Sequence, residues 1–136
     1  MKKVLLSMAI AAVLFSTSCK KDEAEVTIVG KWTLTEVGAD ANNNNKVDQG
    51  ETGPVSAVGL SGFVDIRGNN TFTISATFMG QAETVTGTYV YSNNMLTTVA
   101  EGETDVATVN TLTSNKLILK NAAEGSAAAT WEVYTK

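Results

Sequence analysis

Period-two hydrophobicity, cut by turn residues about every ten positions, constrains this chain more than any other feature. The run Thr71–Phe78 places Phe72, Ile74, Ala76 and Phe78 on one face and Thr71, Thr73, Ser75 and Thr77 on the other. Alternation of that kind is the signature of a strand with one face on a core and one face in water. From Val26 onward Thr, Val, Tyr, Phe and Ile dominate, and no segment repeats at the helical period. Candidate strands are Val26–Val37, Val58–Arg67, Thr71–Met79, Ala82–Tyr91, Met95–Val99, Asp105–Thr113, Lys116–Lys120 and Ala128–Thr135. The last of these sets Ala129, Trp131 and Val133 against Thr130, Glu132 and Tyr134, and its apolar face is assigned inward.

The connections Gly68-Asn69-Asn70, Gly80-Gln81, Ser92-Asn93-Asn94, Glu101-Gly102-Glu103 and Ser114-Asn115 have hairpin lengths, and several supply the residues that tolerate positive φ. Only Gly38 to Ala57 is long. A meander of eight strands has two unpaired edges, and closing the sheet on itself removes both. The expected fold is therefore all-β, an eight-stranded antiparallel up-and-down barrel. Strands of this length also suit an outer-membrane barrel, but the faces opposite the core carry Thr, Ser, Glu, Lys and Asp in place of a lipid-facing apolar band. A barrel in water is the consistent reading.

Residues 1–18 read as a cleaved leader: Lys2 and Lys3, an apolar run from Val4 to Phe15 too short to span a bilayer, and the small residues Ser16-Thr17-Ser18. Cys19, the only cysteine, follows directly. Its position resembles the lipobox of bacterial lipoproteins, in which that thiol is acylated, although Ser16 stands where an aliphatic residue is usual. The resemblance implies a lipidation site at Cys19, a tether over residues 19–25, and one domain over residues 26–136. It also implies membrane attachment through an N-terminal lipid, with the protein on the outer membrane facing the periplasm or the cell surface.

Chemistry is bounded by what is missing. The chain has no His, one Arg and one Cys, so His-dependent triads, Cys–His dyads, disulfides and His- or Cys-rich zinc sites are excluded. Formal net charge is −4, which argues against nucleic-acid binding. Carboxylate pairs such as Glu101 with Glu103 or Asp65 with Glu36 are formally compatible with glycoside hydrolysis. Each is better explained as a solvated turn or surface charge, and the chain is read as a non-enzyme.

The long connection holds a sharper motif. Asp40-Ala41-Asn42-Asn43-Asn44-Asn45-Lys46-Val47-Asp48-Gln49-Gly50-Glu51 follows the twelve-residue calcium-loop template, apart from Asn45 where the template has Gly. A hard cation takes oxygens from alternate residues of a wrapping loop and is closed by a bidentate carboxylate. The candidate ligands are Asp40, Asn42, Asn44, the carbonyl of Lys46, Asp48 and Glu51, holding a structural Ca²⁺ of weak, extracellular-type affinity.

Gly30-Lys31-Trp32 within Ile28–Thr35, together with Asn70-Thr71-Phe72-Thr73, Gly87-Thr88-Tyr89 and Lys116-Leu117-Ile118-Leu119, resembles the lipocalin-like lipoproteins of the Bacteroidetes. The G-x-W element opens lipocalins, with its Trp closing the bottom of the barrel. In lipocalins an Arg of the last strand stacks on that Trp. No Arg lies near this C-terminus, so the place falls to Trp131 or Tyr134. What the resemblance implies is a binding barrel for a small apolar ligand, or one that meets a surface protein or glycan at its open end. The inward candidates are Trp32, Phe72, Ile74, Phe78, Tyr89 and Trp131. The alternative is a periplasmic or surface inhibitor, or structural partner, acting through its loops.

Overall fold

The computed structural model describes residues 25–136. The leader, Cys19 and most of the tether lie outside the described residues. Nine strands run β1 (Gly30–Ala39), β2 (Thr52–Pro54), β3 (Leu60–Ile66), β4 (Thr71–Phe78), β5 (Gln81–Ser92), β6 (Met95–Ala100), β7 (Glu103–Leu112), β8 (Lys116–Asn121) and β9 (Thr130–Thr135). A single 3₁₀ turn, Val55–Val58, is the only helical element among the described residues. All pairings are antiparallel and follow chain order from β3 to β9, and β9 returns to pair with β1, so that eight strands close a barrel. The ninth, β2, adds to the outer half of β1 at Glu36–Gly38, just where β3 has ended. That short strand lies in the long connection, which sequence reading treated as loop. Its approach is possible because residue 38 is glycine: a Cβ there would sit 1.8 Å from the carbonyl oxygen of Glu51.

Tight turns knit the meander. Met79-Gly80, Asn93-Asn94 and Glu101-Gly102 each carry positive φ at both residues, the twist that matches two flanking antiparallel strands. Asn and Gly reach that region at low cost, whereas Met79 and Glu101 are held there by the strands on either side.

Two β-bulges interrupt the alternation, in β1 between Leu34 and Glu36 and in β7 between Val109 and Thr111. Because the side-chain period is two, one extra residue exchanges inside for outside. Trp32 and Leu34 therefore face the interior, whereas Glu36 lies opposite Val133 on the outer face. The extra residue, Thr35, uses its hydroxyl to donate to the Val133 carbonyl at 3.0 Å.

The main core fills the lower barrel with Ile28, Trp32, Val64, Ile66, Phe72, Tyr89, Leu96, Ala107, Val109, Leu117, Leu119 and Tyr134. At the base, Trp32 is fully buried and its indole N–H donates to the Ile28 carbonyl at 2.8 Å. The cation that crosses it is neither an Arg nor replaced by Trp131 or Tyr134. Lys136, just past β9, places its ammonium 4.1 Å from the centre of the Trp32 ring, a cation–π contact. Gly30 of the G-x-W element makes room for it, since a Cβ there would come within 2.7 Å of the Lys136 chain.

A second, smaller cluster lies outside the wall: Ile118, Trp131 and Val133, with Val47 of the long loop packed over them. Trp131 is thus fully buried but faces outward. This corrects the inward assignment of its face of β9. The apolar alternation was real, and it marked the face covered by the loop. Glu132 and Tyr134 are the residues that point into the barrel.

Candidate functional site

Above the packed base the barrel opens into a cavity of about 470 Å³, within the range that takes a small organic ligand. Val64, Ile66, Phe72, Leu96, Ala107 and Leu119 supply its apolar floor and walls. Thr98, Thr104, Asp105, Asn121, Glu124, Glu132 and Tyr134 supply the polar part. The register explains this division. Leu96 pairs with Ala107 and Val109 with Leu119 in the apolar part, whereas Thr98 pairs with Asp105 in the polar part, and Asn121, opposite Ala107 and Thr130, lies where the two meet.

Of the inward candidates, Phe72, Ile74 and Tyr89 line the cavity and Trp32 forms the base beneath it. Phe78 shares the face of Phe72 but is 52% exposed and does not line the cavity. It lies at the last pair of the β4–β5 hairpin, opposite Gln81, past the point where the facing strands can cover it. Its alternation was read rightly and its depth was not. Tyr89 is anchored by its hydroxyl, which donates to the Arg67 carbonyl at 2.8 Å, and burial raises its pKa.

Glu132 and Tyr134 are the residues that pattern reading missed. The Tyr134 hydroxyl donates to the Glu132 carboxylate at 2.9 Å. Burial pushes the Glu132 carboxyl up from the usual Glu range, against the opposing pull of Tyr134 and Asn121. Tyr134 is raised well above its ordinary value, by burial first and by the neighbouring carboxylate second. One signal could have located them: a Glu in the middle of an apolar strand, opposite Leu119, needs a polar or wet surrounding on one face only.

The long loop curls beside the mouth, and its geometry is set by its own side chains. Asp40 accepts the backbone N–H of Asn44 and Asn45 at 3.2 Å each. Asn42 accepts from Asn44 N–H at 3.0 Å and Asn44 from Lys46 N–H at 2.8 Å. Asp48 takes the amide groups of Asn42 and Asn44, at 2.8 and 2.5 Å. Glu51 closes the ring onto the N–H of Ala41 and of Asp48, both at 3.0 Å. The side chains of Asp40, Asn42, Asn44, Asp48 and Glu51 are thus each engaged by the loop's own donors. Among the described residues no three His, Cys, Asp or Glu side chains form a metal-holding group.

Lys120 of β8 reaches into this ring from the barrel wall. Its ammonium lies 2.5 Å from an Asp40 oxygen and 2.6 Å from the Asn45 side-chain oxygen. Asp40 is fully buried, and its pKa is lowered chiefly by that Lys120 contact. Asp48 is lowered chiefly by the amides of Asn42 and Asn44. Lys120 also stands 5.3 Å from the Trp131 ring, so one cation ties the loop to the outer cluster.

Comparison with known proteins bears on the barrel. Residues 28–119 match the family described as lipocalin-like domain. A lipocalin-like protein from Bacteroides uniformis has a similar structure, with a TM-score of 0.55 at 16% identity, covering 79% of this chain and 96% of that one. An uncharacterized protein from Bacteroides eggerthii gives a TM-score of 0.52 at 16% identity, covering 79% and 98%. At such identities the likeness is one of fold. Comparison with curated proteins finds no match.

Proposed function

The chain belongs to the lipocalin-like domain family, and from that premise we propose that it is a non-enzymatic lipoprotein, held on the outer membrane by an acylated Cys19, whose barrel carries a small, largely apolar ligand. The observation that carries this reading is the cavity of about 470 Å³ above the Trp32 floor. A barrel of eight strands is at the size where side chains either fill the interior or leave room for one ligand, and here the upper half is left open.

Titration of the full-length protein with Nile red, a neutral solvatochromic dye, tests the carrier reading. Saturable uptake near one equivalent is expected, and Thr98→Trp, which projects a large ring into the cavity from a half-exposed position, is expected to abolish it. Absence of saturable uptake, or unchanged uptake by Thr98→Trp, would overturn the proposal. Tethering is tested separately by metabolic labelling with a radioactive fatty acid: label on the protein that disappears in Cys19→Ala supports it, and an unlabelled parent protein removes it.

The loop Asp40–Glu51 is proposed as a structural calcium site. Its support is the match to the template and a loop folded on the oxygens of Asp40, Asn42, Asn44, Asp48 and Glu51. An incoming ion would compete with Lys120 for Asp40, which is consistent with weak affinity, on the order of 10⁻⁴ to 10⁻³ M. Calorimetric titration with calcium is expected to give heat and a rise in thermal midpoint, both enhanced in Lys120→Met. No heat and no shift in either protein would remove the calcium site.

A further inference from the structure

The charge pattern of the cavity goes beyond the carrier reading and says what kind of head group the ligand bears. Three lining residues are acids, Asp105, Glu124 and Glu132, and among the described residues no Lys or Arg lines the cavity. The chain has no His to take that role. The basic residues closest in the fold are committed elsewhere. Lys120 points outward to Asp40 and Asn45, Lys136 lies under the floor on Trp32, and Arg67 is paired with Asp65 at 2.9 Å and donates to Thr73.

An anionic ligand would therefore enter a space with three carboxylates and no counter-charge among the described residues, with repulsion strongest at the part-buried Glu132 and weaker at the exposed Asp105 and Glu124. A cation would meet the reverse. Glu132 is the deepest of the three acids, with the Tyr134 hydroxyl donating to one of its oxygens. Its burial penalty is met by hydrogen bonds alone, and a bound ammonium would supply the missing opposite charge. Beside it, Phe72, Leu96 and Leu119, the last directly opposite Glu132, offer an apolar surface to the rest of the molecule.

Resting on the carrier reading, we propose that the barrel selects amphiphiles with a protonated amine, the ammonium held at Glu132, with Asp105 and Glu124 adding negative charge at the exposed rim, and the apolar part on Phe72, Leu96 and Leu119. Carboxylate amphiphiles such as fatty acids are selected against by the same groups.

Calorimetric titration of the full-length protein at neutral pH with decylamine, decanol and decanoate separates the two levels of the argument, since the three probes share a tail and differ in charge. Decylamine is expected to bind at least about tenfold tighter than decanoate. Glu132→Gln should shrink that preference, read as the ratio of decylamine to decanol affinity within the same variant. Asp105→Asn, at an exposed rim position that folding does not depend on, should shrink it in part and keeps the test valid if the Glu132 variant does not fold. Equal binding of all three probes, tighter binding of decanoate, or a preference untouched by both variants would overturn the charge selection while the carrier reading stood. Failure of all three to bind would remove both.

Discussion

Replacing Trp131 tests whether the barrel has one core or two. The indole is fully buried, packs with Ile118 and Val133 under Val47, and its Nε1–H has no partner among the described residues. Burial of a Trp removes about 150–250 Å² from water, or roughly 4–6 kcal/mol at about 25 cal/mol per Å². Against this stands the unpaired N–H, at about 1–3 kcal/mol. Trp131→Ala should then cost about 2–4 kcal/mol net, which for a domain of this size lowers the thermal midpoint by roughly 10–20 °C. Trp131→Phe removes the unpaired donor, keeps much of the ring, and should cost less than about 2 kcal/mol. Urea denaturation of the parent and both variants gives these differences. Uptake of Nile red, measured on the folded variants, should stay at parental affinity, because the indole lies on the far side of the wall from the cavity. A folded Trp131→Ala protein that no longer takes up the dye, or a Trp131→Phe variant as damaged as the alanine one, would refute the assignment of this residue to an outer cluster.

Stability should fall with pH on account of Glu132. Its pKa is raised by burial above the ordinary value of 4.5, so between that value and the raised one the native state keeps a proton that the unfolded chain has released, and rising pH favours unfolding. Thermal midpoints measured across that interval should decline in the parent and decline less in Glu132→Gln; parallel profiles would remove Glu132 as the cause. Glu101 sits at φ +53 in a two-residue turn before Gly102, and Glu101→Asn should stabilise by about 0.5–1 kcal/mol in urea denaturation, a loss of stability being the contrary result. At the base, Gly30→Ala brings a Cβ within 2.7 Å of the Lys136 side chain at a backbone φ of +142. It should cost about 1–3 kcal/mol from backbone strain in addition to the cation–π contact, and Lys136→Met should cost only the latter, about 0.5–1 kcal/mol, so equal losses would contradict the geometry.

Most strand positions are legible because each strand carries its own alternation. Thr71–Phe78 was read to within a residue, and the seventh of the predicted strands, Lys116–Lys120, extends by only Asn121. The first strand begins at Gly30 rather than Val26, since Ile28 turns its side chain into the base and its carbonyl toward Trp32 before the ladder starts. The short strand β2 was not readable in Thr52-Gly53-Pro54, because Gly53 and Pro54 are poor strand formers. It exists because the long loop returns along a stretch of β1 left bare by β3.

Alternation, turn chemistry and the G-x-W element by themselves determined that this chain makes a meander of strands with a Trp at one end, because those are local preferences written residue by residue. They also placed six oxygen-bearing positions at the spacing of a cation-wrapping loop. Which face of β9 looks inward, however, was decided by closure of the sheet, by the bulges in β1 and β7, and by a loop that covers Trp131 from outside. Lys120 against Asp40, and Lys136 across Trp32, join residues 80 and more than a hundred positions apart, a distance over which no local pattern carries information. The polar cavity wall arises in the same way: Glu132, Asp105 and Glu124 share one space only after the first and last strands have met.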